Sequence, residues 1–205
     1  MSPRDRQLFE LWSRTPEHLA RVEQSRREML ACPDGSAVLF SGGKDSLAVL
    51  HMAVQGGKCR QCVHLAHDPA IMPGPYQREI YAQMDALCVN GCRQVVLDSV
   101  HRDIPEHIPC VIGSFRADEN GRRRRGGPDA KAFGVRCRHI IFDWTARDVW
   151  AYIIANDLPY HSAYDARAAV EGWDNVRFSA YFASDLTQYT AAVDGLTAWR
   201  DRGRR

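Results

Sequence analysis

The pattern of apolar and polar positions changes period several times along the chain, and each change marks an element. Over residues 4–31, Leu8, Leu11, Trp12, Leu19, Val22, Met29 and Leu30 recur at near-helical spacing, as an amphipathic helix requires. Pro16 has no amide donor and splits this stretch into two helices. Thr15 caps the second, with Pro16 at its first position. Cys32-Pro33-Asp34-Gly35 is a turn, and the rhythm then alternates between short apolar runs and helical patterns. Ala37–Phe40 reads as a buried strand. Ser41-Gly42-Gly43 leads into a helix through Leu47, Val49, Leu50 and Val54, which Gly56-Gly57 ends. Strands are predicted over 62–66, 95–97, 110–113 and 140–142, with a loop over 69–75 and a helix over 76–89. Thr145 and Asp148 resemble a capping box that opens a helix to about Asn156, and a last helix is predicted over 187–201. Strands alternating with helices predict an α/β fold built on a parallel sheet wound on both faces.

Composition narrows the class. The chain has 205 residues, 45% hydrophobic and 25% charged, with a net charge of +2, which suits a folded soluble domain and excludes a disordered or fibrous chain. No stretch approaches the roughly 20 apolar residues of a membrane span. The first residues, MSPRDRQLFELW, contain no apolar signal core, so a cytoplasmic protein without membrane partners is expected. Seven cysteines in a reducing compartment are metal ligands, reactive thiols or small buried residues rather than a disulfide framework.

The chemistry is concentrated after the first strand, in Ser41-Gly42-Gly43-Lys44-Asp45-Ser46. A helix N-terminus presents unpaired amide donors and a partial positive charge. Two glycines admit an anion close to the backbone, Lys44 adds a full charge, and Ser41 and Ser46 add hydroxyls. Such a cradle at the carboxyl end of a parallel strand is where these folds bind phosphates. It is not a Walker A loop, which needs Gly at Val38 and Ser or Thr at Asp45. Nor is it a dinucleotide fingerprint, since no third glycine follows at the right spacing.

The strand, this hexapeptide and the helix together resemble the pyrophosphate loop (PP-loop) of the adenine-nucleotide alpha-hydrolase superfamily. Two further segments resemble one branch of it, the phosphoadenosine phosphosulfate (PAPS) reductase-like family. Ile112–Asn120 is similar to that family's Gly-x-Arg-x-x-Glu-Ser segment, with Asn120 in place of Ser. Phe142–Ile153, Leu158-Pro159-Tyr160 and Tyr164-Asp165 are similar to its segment after the sheet. The resemblance spans about residues 36–165. It implies a Rossmann-like, mostly parallel five-stranded sheet of order 3-2-1-4-5, formed by an adenine-nucleotide-binding domain over 35–205, with residues 1–34 as an added helical extension suited to packing on a partner subunit in a homodimer or larger complex. It also implies ATP or PAPS as ligand, held by Ser41, Gly42, Gly43, Lys44, Asp45, Ser46, Asp68 and Arg116. Lys44, Asp45, Arg116 and Glu119 would be the catalytic set, with Asp45 holding Mg²⁺ directly or through water.

The same comparison shows a departure. Sulfonucleotide reductases attack sulfate with a cysteine near the C-terminus, and this sequence has no cysteine after Cys137. The chemistry expected is therefore cleavage of ATP between the α and β phosphates, with transfer of AMP to an acceptor. The alternatives are a PAPS or adenosine phosphosulfate (APS) reductase with a relocated nucleophile, and a non-catalytic nucleotide- or nucleic-acid-associated subunit. Cys137, between Arg136 and Arg138 in a loop before the fifth strand, is the one candidate for a relocated nucleophile, since flanking arginines would lower its pKa.

Two features stand apart from the loop. Cys59-x-x-Cys62 and Cys88-x-x-x-Cys92 precede neighbouring strands at the edge opposite the loop, so four thiols can converge on a structural zinc or remain unlinked. Positive charge is local: residues 114–140 carry +5 and 200–205 carry +3. Arg122–Arg125 would serve as a lid, a site for a second phosphate group, a nucleic-acid contact or a solvated loop.

Overall fold

The computed structural model describes residues 1–66, 74–89, 91–97, 108–118, 128–132 and 135–176. Asp68, Glu119, Arg122–Arg125 and the helix expected over 187–201 lie outside these residues. In chain order the elements are α1 (Pro3–Trp12), α2 (Pro16–Leu30), β1 (Ala37–Leu39), α3 (Lys44–Gln55), β2 (Gln61–Leu65), α4 (Gly74–Leu87), β3 (Arg93–Leu97), β4 (Val111–Gly113), β5 (Asp129–Ala132), β6 (Val135–His139), α5 (Ala146–Ala155) and α6 (Ala163–Glu171).

Five parallel strands run in the order β3-β2-β1-β4-β6, the expected 3-2-1-4-5 arrangement, and β5 adds an antiparallel edge against β6. The direction of winding reverses between β1 and β4, which opens a crevice at the carboxyl ends of those two strands. Alternation along the strands separates two clusters. Val38, Phe40, Cys62 and Ile112 join the large core with residues of α1 to α5. Ala37, Val63, Leu97, Val111 and Cys137 form a smaller cluster on the other face. No helix among the described residues is long and apolar enough to cross a membrane.

Three corrections arise here. The fifth parallel strand is Val135–His139, not 140–142. Its in-out pattern buries Cys137 and His139, while Ile140 and Ile141 are buried in a turn, with the Ile140 carbonyl accepting from Ser25 Oγ at 2.7 Å. Cys137 accordingly lies on a strand rather than in a loop. Along α1 and α2, Leu8, Leu11, Leu19 and Leu30 are more than half exposed, and Phe9, His18, Val22, Ser25 and Met29 face inward instead. The Thr15 cap, Pro16 and the Thr145–Asp148 capping box are as expected.

Asp148 holds these helices together. Its side chain is fully buried. Oδ1 accepts from Trp12 Nε1 of α1 at 2.9 Å and lies 3.2 Å from His18 Nδ1 of α2. Oδ2 accepts from Arg21 Nη1 at 2.5 Å and from the Thr145 amide and hydroxyl at 2.8 and 2.7 Å. Burial opposes the charge, but the hydrogen bonds from His18, Thr145 and Trp12 outweigh it and hold the carboxyl far below its ordinary range. The carboxylate thus ties α1 and α2 to α5, which packs on α3. Replacing Asp148 with Ala strands several buried donors and should cost about 3 kcal/mol, read as a lower denaturation midpoint. Because the folded pKa is depressed, the stabilisation is complete above about pH 4, the ordinary carboxylate range, and fades as pH falls below it. That acid limb of the stability profile should be shallower in the variant.

Candidate functional site

The crevice between β1 and β4 is built from the loop that follows each strand. After β1, Ser41–Gly43 turns directly into α3. Gly42 has φ +80, and a Cβ there would lie 2.5 Å from Ile80 Cγ1, so both backbone conformation and space demand glycine. Gly43 is the N-cap and supplies no side-chain cap to the helix. The loop is fastened to itself. Ser46 Oγ donates to the Gly43 carbonyl at 2.9 Å, the Ser41 amide donates to Ser46 Oγ at 3.2 Å, and the Gly43 amide donates to Ser41 Oγ at 3.3 Å. The Lys44 amide donates to the buried Tyr164 hydroxyl of α6 at 2.9 Å.

Charge converges on this point. Lys44 is 2% exposed, and its Nζ donates to Asp45 Oδ2 at 3.2 Å and to the Val176 carbonyl at 3.3 Å. Arg116, three residues beyond β4 and equally buried, places Nε 2.6 Å from Asp45 Oδ1. Its Nη1 donates to both oxygens of Asp118 at 2.8 and 2.9 Å. Lys44, Asp45, Arg116 and Asp118 therefore form a line of alternating charges across the crevice. Burial alone would raise the Asp45 pKa, but Lys44 and Arg116 outweigh it and hold the carboxyl below its ordinary range. With both oxygens facing cations, Asp45 can take up a divalent ion only in competition with them.

Behind the crevice, His64 of β2 fastens the first strand's end to α4. Nδ1 donates to the Phe40 carbonyl at 2.7 Å, and Nε2 lies 2.8 Å from the Gln77 side-chain amide. Burial pushes its pKa down, so the ring is neutral. On the other side, Phe115 stacks on His139 with ring centroids 4.6 Å apart and remains 43% exposed beside Arg116.

Of the sequence-predicted residues, Ser41, Gly42, Gly43, Lys44, Asp45, Ser46 and Arg116 come together. Asp68 and Glu119 lie outside the described residues. Sequence reasoning missed Asp118, next to the glutamate that the resemblance pointed to, and the buried hydroxyl of Tyr164, whose position in a Tyr-Asp pair was its one signal. Cys137 does not reach the crevice. It is 2% exposed on β6, and burial, with Cys110 and Asp129 nearby, pushes its thiol up to about 12. The flanking arginines alternate to other directions and do not lower it.

A glycine loop and helix N-terminus at a sheet's switch point, with buried Lys and Arg converging on them, form an α/β crevice of the kind that suits an anionic group. The family model of the phosphoadenosine phosphosulfate reductase domain matches residues 106–182, a stretch that includes Arg116 and Tyr164. Two adenosine 5'-phosphosulfate reductases of Neisseria meningitidis, from serogroups A and B, are each 62% identical to this chain over 31 residues, 15% of the chain. The chain covers 13% of the length of these relatives. These matches, which cover less than half of the chain, are consistent with the PAPS reductase-like family.

Gly42→Ala should damage the loop through both the positive φ and the clash with Ile80. The backbone strain alone costs about 1–2 kcal/mol. A lower melting temperature together with weaker nucleotide binding, measured by calorimetry, is the expected outcome.

Proposed function

We propose that the protein binds an adenine nucleotide with its phosphates at Ser41–Ser46 and cleaves ATP between the α and β phosphates, transferring AMP to an acceptor. The observation that carries this reading is the pair of buried cations, Lys44 and Arg116, set on either side of Asp45 at the N-terminus of α3. Asp45 and Asp118 balance these cations within the chain, and a polyphosphate at the loop would add oxygens that both cations can bind by charge-assisted hydrogen bonds. Loop amides and Lys44 would take up charge on the leaving pyrophosphate, while Arg116 would bear on the α-phosphate. Mg²⁺, the usual companion of a polyphosphate, would supply further charge neutralisation, with Asp45 and the nucleotide itself as the available oxygen donors. The exposed ring of Phe115, stiffened by His139, offers an apolar face near the same mouth. Glu119 and Asp68 are proposed to line the nucleotide, and Arg122–Arg125 to contact a further phosphate or a nucleic acid.

A second reading is favoured by the relatives, whose names specify adenosine 5'-phosphosulfate. A sulfonucleotide would use the same loop and the same two cations. All seven cysteines fall among the described residues, and each is engaged elsewhere: Cys59, Cys62, Cys88 and Cys92 in a cluster near the starts of β2 and β3, Cys32 and Cys110 at the start of β4, and Cys137 in the interior.

Lys44→Ala and Arg116→Ala should each weaken nucleotide binding about ten- to a hundredfold, the loss of one charge-assisted contact. Titration with ATP and with adenosine phosphosulfate measures this, and unchanged affinities for both ligands in both variants would overturn the site. Pyrophosphate release from ATP with an added acceptor supports adenylyl transfer. Sulfite release from adenosine phosphosulfate with reduced thioredoxin, retained in Cys137→Ser, supports the second reading.

A further inference from the structure

The four cysteines of the two short motifs meet at the end of the sheet farthest from the nucleotide loop. Cys59 and Cys62 flank the start of β2. Cys88 follows the last turn of α4, and Cys92 precedes the first residue of β3. The two strands are paired in register from their first residues, Gln61 against Arg93, and the Arg93 amide donates to the Arg60 carbonyl at 2.9 Å. That pairing sets the two motifs side by side.

The contact is direct. Cys59 Sγ and Cys92 Sγ are 2.9 Å apart. Cys88 lies beside Cys62 and Cys92, and Cys88 and Cys92 pack against the core that contains Cys59 and Cys62. Cys59 and Cys62 are buried, and Cys88 and Cys92 are partly exposed, so the cluster is closed toward the core and accessible from one side. We propose that Cys59, Cys62, Cys88 and Cys92 form a tetrahedral Cys₄ site that binds one zinc ion per chain.

As placed, the sulfurs are packed as thiols, and no group of three or more His, Cys, Asp or Glu among the described residues is arranged to hold a metal ion. For Cys59 and Cys92 the rearrangement needed is small. A zinc–sulfur bond of about 2.3 Å at tetrahedral angles sets neighbouring sulfurs about 3.8 Å apart, so Cys59 and Cys92 need to part by less than about 1 Å. Binding exchanges each thiol proton for a zinc–sulfur bond and releases the protons to solvent, with no change of oxidation state. The compactness selects the kind of metal centre. A [4Fe–4S] cluster places each cysteine on a separate iron atom and needs much wider spacing, whereas one soft divalent ion suits four sulfurs close together. The surroundings suit it too. Lys58, Arg60 and Arg93 lie next to the cluster in sequence, which favours the net negative charge of a metal with four thiolates.

The site is structural, and its effect reaches the nucleotide end through α4. This helix begins beside the mouth, where Gln77 contacts His64 and Ile80 lies against Gly42, and it ends at Cys88. Zinc would fix its far end to the starts of both β2 and β3.

The test uses the full chain purified under reducing conditions. Metal analysis after desalting should find one zinc per chain. Replacing zinc with Co²⁺ should give thiolate-to-cobalt charge-transfer absorption and the strong visible bands of a tetrahedral ion. Cys88→Ser and Cys92→Ser should lower zinc content well below one per chain and abolish that spectrum, while Cys110→Ala leaves both unchanged. If a serine variant fails to fold, the cobalt spectrum of the unaltered protein still decides the matter. Absence of retained zinc together with a Co²⁺ spectrum lacking charge-transfer bands would overturn the proposal. So would a Cys59–Cys92 disulfide found by mass spectrometry in protein that binds no zinc, or full zinc retention in both serine variants.

Discussion

The ion pair between Asp45 and Arg116 is the interaction on which the crevice depends. Lys44 and Arg116 are almost completely withdrawn from water, and each buried charge carries a desolvation cost of several kcal/mol when it stands alone. Asp45 faces one cation with each oxygen, and Asp118 supplies the second anion to Arg116. The contact also joins the loop after β1 to the segment after β4, the two strands that flank the reversal of winding. A single carboxylate therefore does two things. It keeps concentrated positive charge inside the folded protein, and it holds the two sides of the crevice at a fixed separation.

Local patterns conveyed the first half of the site well, because its physics is local. Ser41–Ser46 sits between a strand and a helix in sequence as in space, and the need for Gly42 and Gly43 follows from the tight turn. Thr15, Pro16 and the Thr145–Asp148 box were legible for the same reason, since a cap and its amide are three residues apart. What stayed hidden depended on distant partners. Asp148 reads in the sequence as a complete capping residue, yet its hold on Trp12, His18 and Arg21 spans more than a hundred residues. Asp118 was masked by its neighbour, because the resemblance placed the acid at Glu119.

The errors in element placement have a common cause. Ile140-Ile141-Phe142 is the more apolar run, but Val135–His139 is the strand, because its alternate residues Cys137 and His139 are buried while Arg136 and Arg138 stand on the other face. The helix α6 has no apolar stripe in its sequence, and its buried Tyr164 serves as a polar partner of the loop. The leucines of α1 and α2 repeat at helical spacing yet point outward. Apolar periodicity identified those helices correctly and misjudged which side meets the core, which Phe9, Val22 and Met29 occupy together with the polar His18 and Ser25.

The hydrogen bonds that the loop makes to Ser41, Ser46 and Tyr164 bear on selectivity. The amides of Ser41, Gly43 and Lys44 are already satisfied by hydroxyl oxygens of the protein. A neutral ligand that offered another hydroxyl or carbonyl would trade one ordinary hydrogen bond for its equal and gain almost nothing. A phosphate oxygen makes charge-assisted bonds roughly twice as strong and gains at every exchange. A loop bonded in this way favours an anionic partner over a neutral one of the same shape.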